Sequence, residues 1–448
     1  MPALGSAPLA MPSSPLVFWD IVEESFDEAE FLWHRRESAL DAHDRTLGDV
    51  EIWIESRLLG ALDGLVVAGT AGVERLLAPG LDSEDLSRVA VSAYALISSD
   101  SVQGIQLFKT AFLGATDERL VALRRGIELV PGGVDALAPA MKDAPPPVFA
   151  AFLDACAFKR QPPGQEIGDL LASRSAHVQR AAARLLRFAP DSTQRTWFPK
   201  SLGLSDLGAR EIAVESYLIA GFPQARVFCR DLAAADISGS ARMLLLLAMV
   251  GSAADHKVVL DALGLEARQP DAIWALGFGG RRAGADACIE LLSQERHVKL
   301  AAEAFYAITG LDLKANGLLA PPPPEPDEIP FEQENLDANL EPGPEDLLPM
   351  PDIAGVIGWW NKERPRFDEE TRYLAGRPVT MELLHKLLLS GPMRRRHAMA
   401  VELAVATRGR VQVETRAWVS EQRQQLAVSS ALPVHSESGL PPIQGKKR

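Results

Sequence analysis

Cysteine, aromatic residues and positive charge are all scarce in this chain, and each shortage closes off a class of protein. Three cysteines, Cys156, Cys229 and Cys288, lie too far apart for a disulfide framework or a zinc knuckle. Aromatic residues amount to 6%, which disfavours a strand-rich fold, whereas Ala and Leu abound and lose little entropy in a helix. The formal charge of −14 argues against nucleic acid, because neutralising phosphates takes clustered Lys and Arg. That acidity is uneven: residues 321 to 350 hold nine Asp and Glu and no Lys or Arg, leaving −5 on the rest. The longest apolar run, MLLLLAMVG from Met243, falls far short of a membrane span. The opening MPALGSAPLAMPSSPLVF lacks a basic n-region and is broken by prolines, so it does not read as a signal peptide. The expectation is a cytoplasmic protein with no membrane partner.

What the chain does have is a beat. Alanines recur inside helical segments at Ala61, Ala90, Ala122, Ala151, Ala182, Ala213, Ala241, Ala272 and Ala302, in steps of 29, 32, 29, 31, 31, 28, 31 and 30 residues. Gly221, Gly251, Gly277 and Gly310 follow where a first helix should end in a left-handed cap. Cys229 and Cys288 each lie sixteen residues after an anchor alanine. Thirty residues hold two helices of about eleven residues and two tight turns. Small Ala at the crossing lets paired helices approach, and stacking on neighbours covers the remaining apolar faces. The predicted fold is all-α, an α-solenoid of short helix pairs.

The beat and the prolines divide the chain. Residues 1–15 are expected to be a disordered N-terminus, 16–50 capping helices and 51–314 the repeat array. Ten prolines between Pro321 and Pro351 exclude helix and sheet, so 315–351 reads as a Pro/acidic insertion. Its placement inside the array comes from an echo: LLS at 291–293 before an Ala-rich helix returns as LLS at 388–390 before GPMRRRHAMAVELAVAT. Segment 352–425 then continues and caps the array, with IAGVIGWWNKERPRF supplying the second helix after Ala302, and 426–448 is a disordered tail.

The Val-x-x-Ala-Ala core of HVKLAAEAFYAITG and HVQRAAARLL resembles HEAT repeats in their short form, over about residues 50 to 310. More of the chain keeps a family order. An EAEFLW helix, LDGLVVAG, the Ala-rich segments, FYAITGLDL, an insert, a WW helix, RYLAGRPVT and ETRAW follow one another. That order resembles a bacterial group of HEAT-repeat-like proteins of uncharacterised function, some members of which lie near type VI secretion genes. The resemblance implies an armadillo-like frame and brings no catalytic residues with it.

Candidate chemistry is thin. Glu30, His34, Glu37 and Asp41 share one side of a helix whose apolar side is Phe26, Ala29, Trp33 and Leu40, and they read as the polar face of a terminal cap. A di-metal site needs Glu-x-x-His on two helices, and the chain's one such spacing is Glu382 to His385. No His precedes a Glu, so the His-Glu dyads of HEAT-like hydroxylases are missing, as are a His-Glu-x-x-His, a Walker loop and a Gly-x-Ser-x-Gly elbow. GFGGRRAG at 277–284 falls at an interhelical turn. Arg180, Arg184 and Arg187 share a helix side and are the best local basic face. Partner-binding candidates are the doublet Trp359 and Trp360, which one narrow stripe cannot bury together, and Arg394, Arg395 and Arg396, read first as a solvated turn and next as contacts to an acidic partner or to the acidic insert.

These readings point to a non-enzymatic scaffold or adaptor that binds another protein, with no cofactor and no metal. A secretion accessory is its narrower form. The alternative is a HEAT-like lyase or modifying enzyme with an unrecognised site, and nucleic-acid binding ranks below both.

Overall fold

The computed structural model describes residues 17–99, 101–131, 134–135, 137–235, 240–321, 343 and 345–430. The segments predicted to be disordered, 1–15 and most of 315–351 and 426–448, lie outside these. The chain divides into two compact units, Met1–Arg36 with Ile54–Val148, and Glu37–Trp53 with Phe149–Arg448.

Both units are built from helices that pack in sequential pairs. In chain order the main helices of the first stretch are α1 (Trp19–Ala39), α2 (Leu47–Val50), α3 (Ser56–Val67), α4 (Leu86–Ser98), α5 (Val102–Gly114) and α6 (Asp117–Leu129). Next come α7 (Pro146–Lys159), α8 (Ile167–Leu171), α9 (Ala176–Leu185), α10 (Asp191–Ser201), α11 (Leu207–Ile219) and α12 (Pro223–Ala234). They are followed by α13 (Ala241–Val250), α14 (Ala253–Asp261), α15 (Gln269–Gly279), α16 (Arg282–Leu291) and α17 (Val298–Thr309). The last are α18 (Ile353–Glu363), α19 (Met381–Ser390), α20 (Met393–Ala406) and α21 (Val419–Ser430). Side-chain caps start many of them: Asp85, Asp206, Asp352 and Thr380 each accept a hydrogen bond from a backbone N–H in the following first turn.

The alanine beat marks the crossings. Ala182, Ala213, Ala272 and Ala302 are completely buried where α9 meets α11 and where α15 meets α13 and α17. Ala61, Ala90, Ala122 and Ala151 are buried as well, whereas Ala241 sits half-exposed in the first turn of α13 and leaves the crossing to Met243, Leu244 and Leu247. The glycines are less uniform than the spacing suggests. Gly221 and Gly310 are left-handed, at φ 82° and 71°, but Gly251 is extended. Gly277 lies inside α15, where an added Cβ would stand 3.0 Å from the Ala304 Cα; the left-handed residue that ends that helix is Gly280.

Charges repeat with the same spacing. In the second unit Arg184 pairs with Asp154, Arg180 with Asp206, Arg187 and Arg242 with Glu215, and Arg230 with Asp255, partners 25 to 30 residues apart. Each pair ties one helix pair to the next, so the beat is held by ion pairs as well as by small residues.

In the first unit α1 lies against α4. Phe26 and Ser92 both crowd Gly80, where an added Cβ would stand 2.8 Å from the Phe26 Cζ, Trp33 meets Tyr94 edge-on at 6.3 Å, and buried Arg36 pairs with buried Glu55 at 2.8 Å. Phe26, Ala29, Trp33 and Leu40 are all buried. In the second unit α20 lies across α11 and α13, and its arginines reach α15 and α17. Its partner α19 packs on α2, and hydrogen bonds from Met393 N–H to the Arg45 carbonyl and from Arg394 N–H to the Ala42 carbonyl hold residues 42–45 there. The helix α20 thus adds to the face of several earlier pairs instead of only following the last one.

Two further details depart from a purely helical reading. A two-residue hairpin, β1 (Tyr373–Leu374) and β2 (Arg377–Pro378), is antiparallel, and it caps the C-terminal ends of α15 and α17 through Tyr373 N–H to the Gly280 carbonyl and Ala375 N–H to the Ala307 carbonyl. The helix α21 runs to Ser430 with Leu426 buried, so order extends past residue 425. The insertion departs and returns at one point: Ala320 N–H bonds the Met350 carbonyl and Asp352 N–H the Leu318 carbonyl. After it, α18 packs on α16 and α17, with Trp360 on Phe305 at 5.3 Å and its indole N–H on Asp286 at 2.9 Å.

Candidate clefts and the placement of the sequence candidates

The three consecutive arginines are not a solvated turn. They fall in the first turn of α20, and Arg395 and Arg396 are buried. Arg395 lies 3.9 Å over the Phe278 ring and 5.0 Å over Trp274, with the Glu303 carboxylate 3.8 Å away. Burial, which penalises the charged form, pulls its guanidinium down to about 10, against the attraction of Glu303. Arg396 donates to the Leu388 carbonyl and to Gln422. Arg394 pairs with Glu303 at 3.3 Å and with Glu345, at the described end of the acidic insertion, at 3.4 Å. Aromatic faces and one carboxylate offset the unfavourable position of cations at a helix N-terminus.

The tryptophan doublet divides as one stripe requires. Trp360 is buried against Phe305 and Phe367, while Trp359 keeps a partly exposed edge. The arginine face of α9 is neutralised from within: Arg180 makes two bonds of 2.7 Å to Asp206, Arg184 bonds Asp154 at 2.5 Å, and Arg187 bonds Glu215 at 3.3 Å. Residues 277–284 span the end of α15, the turn at Gly280 and Arg281, and the start of α16. All three cysteines are buried, and burial pushes the Cys288 thiol up to about 12.

The polar row of α1 breaks into separate contacts. Glu30 bonds Arg88 at 2.7 Å, and burial, with Asp85 and Asp27 nearby, raises its carboxyl despite that arginine. Asp41 belongs to the second unit, where the His397 Nε2 lies 3.2 Å from its Oδ1 and Arg416 contacts both carboxylate oxygens. Both acceptors of Nε2, the Leu40 carbonyl and Asp41, can only accept, so Nε2 carries the proton, and in the neutral ring Nδ1 takes the Thr415 hydroxyl at 2.6 Å. Asp41 is therefore a junction residue, not part of a solvated outer face. Among the described residues no group of three or more His, Cys, Asp or Glu side chains is placed to hold a metal ion.

Two open clefts stand out, one within each unit. The first unit has one of about 340 Å³ lined by Asp27, Glu30, Phe31, His34 and Asp85. Arg88 reaches two of those carboxylates, at 2.7 and 3.2 Å, and so neutralises part of the cleft from inside. Beside it the outer side of α1 exposes Ile21, Glu24, Asp27 and Phe31, with Phe31 59% exposed. The second unit has a cleft of about 290 Å³ between α8 and α10, lined by Glu166, Gly168, Asp169, Ser192, Thr193, Thr196 and Trp197. Those residues come from two short segments, 166–169 and 192–197, which match no motif in the sequence and meet only through the packing of α8 and α10.

No helix among the described residues is long and apolar enough to cross a membrane by itself; one bent pair, Leu47–Val67 with Gly69–Gly80, meets the length and composition only jointly. No family model matches this chain, and no curated protein is found similar to it.

Proposed function

We propose that the protein is a non-enzymatic scaffold of short HEAT-like, α-solenoid type that binds another protein. The observation that carries the reading is the outer side of α1. There Ile21 and Phe31 stand exposed among Glu24 and Asp27 on a helix whose opposite side is anchored by Phe26, Ala29 and Trp33. Large apolar side chains rimmed by charges are what a protein partner covers. Within the first unit, Arg57, Arg75 and Arg88 hold α1 through Glu28, Glu23 and Glu30. The partner is expected to bring apolar groups flanked by Lys or Arg, and a bacterial secretion accessory is the narrower form of this proposal. Fold alone does not give function, so the reading stands on the surface.

Affinity capture from the source cells tests it. Ile21→Glu with Phe31→Glu alters only exposed side chains, so folding should hold while a specifically captured partner falls at least tenfold. A partner set identical to wild type would remove α1 from the account.

A further inference from the structure

We propose that His256 makes the segment from Phe367 to Pro378 an acid-opened latch over the turn between α15 and α16. The observation that carries it is an imidazole enclosed without a partner. His256, in the first half of α14, is 4% exposed, and neither ring nitrogen has a hydrogen-bond partner. The glycines of GFGGRRAG make room for the ring. A Cβ on Gly279 would stand 3.0 Å from its Cε1, and one on Gly284 would stand 3.4 Å from its Nε2. Enclosed in this way, a neutral ring forgoes one donor bond and one acceptor bond. A protonated ring would forgo two donor bonds and bury a charge as well.

The latch is clasped to the same turn. Arg372 donates to the Phe278 and Gly279 carbonyls at 2.8 and 3.1 Å, and Tyr373 N–H to the Gly280 carbonyl at 2.7 Å. Arg281 donates back to the Glu370 carbonyl at 3.1 Å. The charges that act on the ring are those of Arg281 and Arg372, both positive, and closure of the latch is what brings Arg372 there. Ala248 of α13 and Leu276 of α15 line the surrounding space. The carboxylates of the neighbouring elements are already engaged: Asp255 of α14 by Arg230 and Ser252, Glu369 by Arg282, and Glu402 of α20 by Arg372. Lys257, the next residue of α14, is exposed. Burial, together with those two arginines, pulls the imidazole down to about 4. In the open latch the ring regains solvent and its ordinary value near 6.5. Closure is therefore unaffected by protons above about pH 6.5 and loses stability as pH falls from there through about 4.

The latch is independent of the scaffold reading and needs no partner for its test. Hydrogen exchange of the full chain is compared at about pH 7 and about pH 4.5, corrected for the intrinsic pH dependence of amide exchange. The amides of Tyr373, Ala375 and Gly376, which bond the Gly280, Ala307 and Ile308 carbonyls, report closure. Their protection should fall at least tenfold on acidification, ahead of that of α15 and α17. His256→Leu cannot take up a proton and should leave their protection level between the two conditions. His256→Gln, equally unable to titrate, serves if the leucine variant misfolds. Wild-type protection that stays constant, or variants that lose as much of it as the wild type, would overturn the assignment. So would equal loss through α13, α15 and α17, because acid would then unfold those helices together and not release the latch.

Discussion

At the residue scale, the chain spends its charged side chains on joining segments that are far apart in sequence. Asp41 is the clearest case. Burial would raise its carboxyl, but the hydrogen bond from His397 and the charge of Arg416 outweigh burial and bring it down to about 2. A folded value below the unfolded one, near 4, means that the group's stabilisation is complete above about pH 4. It disappears as pH falls through about 2. Asp41 is nearly half exposed, so solvent screening holds the contribution to about 1 kcal/mol. Asp41→Asn is expected to lower the urea midpoint at neutral pH and to flatten its fall between pH 4 and 2. Parallel profiles for variant and wild type would place the acid sensitivity elsewhere. Arg395 shows why such residues mislead a sequence reading. Three arginines in a row look solvated, and only the assembled fold brings Trp274, Phe278 and Glu303 beneath them.

At the element scale, the hairpin at 373–378 fastens the ends of two helices. Gly310 ends α17 at φ 71°, and a Cβ there would lie 2.5 Å from the Ala375 carbonyl carbon. Gly310→Ala should therefore cost about 1–3 kcal/mol and loosen the hairpin. Faster tryptic cleavage after Arg372 with a lowered melting temperature would register both effects. Cleavage and melting at wild-type values would show that the hairpin does not depend on this close approach. The helices themselves were legible, because alanine spacing and the proline stretch from Pro321 are local signals. The course of α20 was not. Its small residues predict a closely packed face without saying which helices supply the other side, and Ala241 shows that even a well-spaced alanine can miss the crossing. The hairpin was equally silent, since two residues per strand carry no periodicity.

At the scale of the whole molecule, each unit sets one helix against the faces of its stacked pairs, α1 in the first and α20 in the second. Those faces are then covered by the chain itself, which leaves the exposed side of α1 for the partner we propose. Helices packed in sequential pairs pass damage first to the pairs beside them. Glu215, fully enclosed between Arg187 and Arg242, is where that can be read most directly. Removing Glu215 frees two arginines that solvent partly reaches, which holds the cost to about 1–2 kcal/mol. Native-state hydrogen exchange of Glu215→Ala is the decisive measurement. Stacked pairs predict that protection falls together in α9, α11 and α13 while α4 and α6 keep theirs. Loss confined to α11, or uniform loss through every helix, would contradict an arrangement held pair to pair.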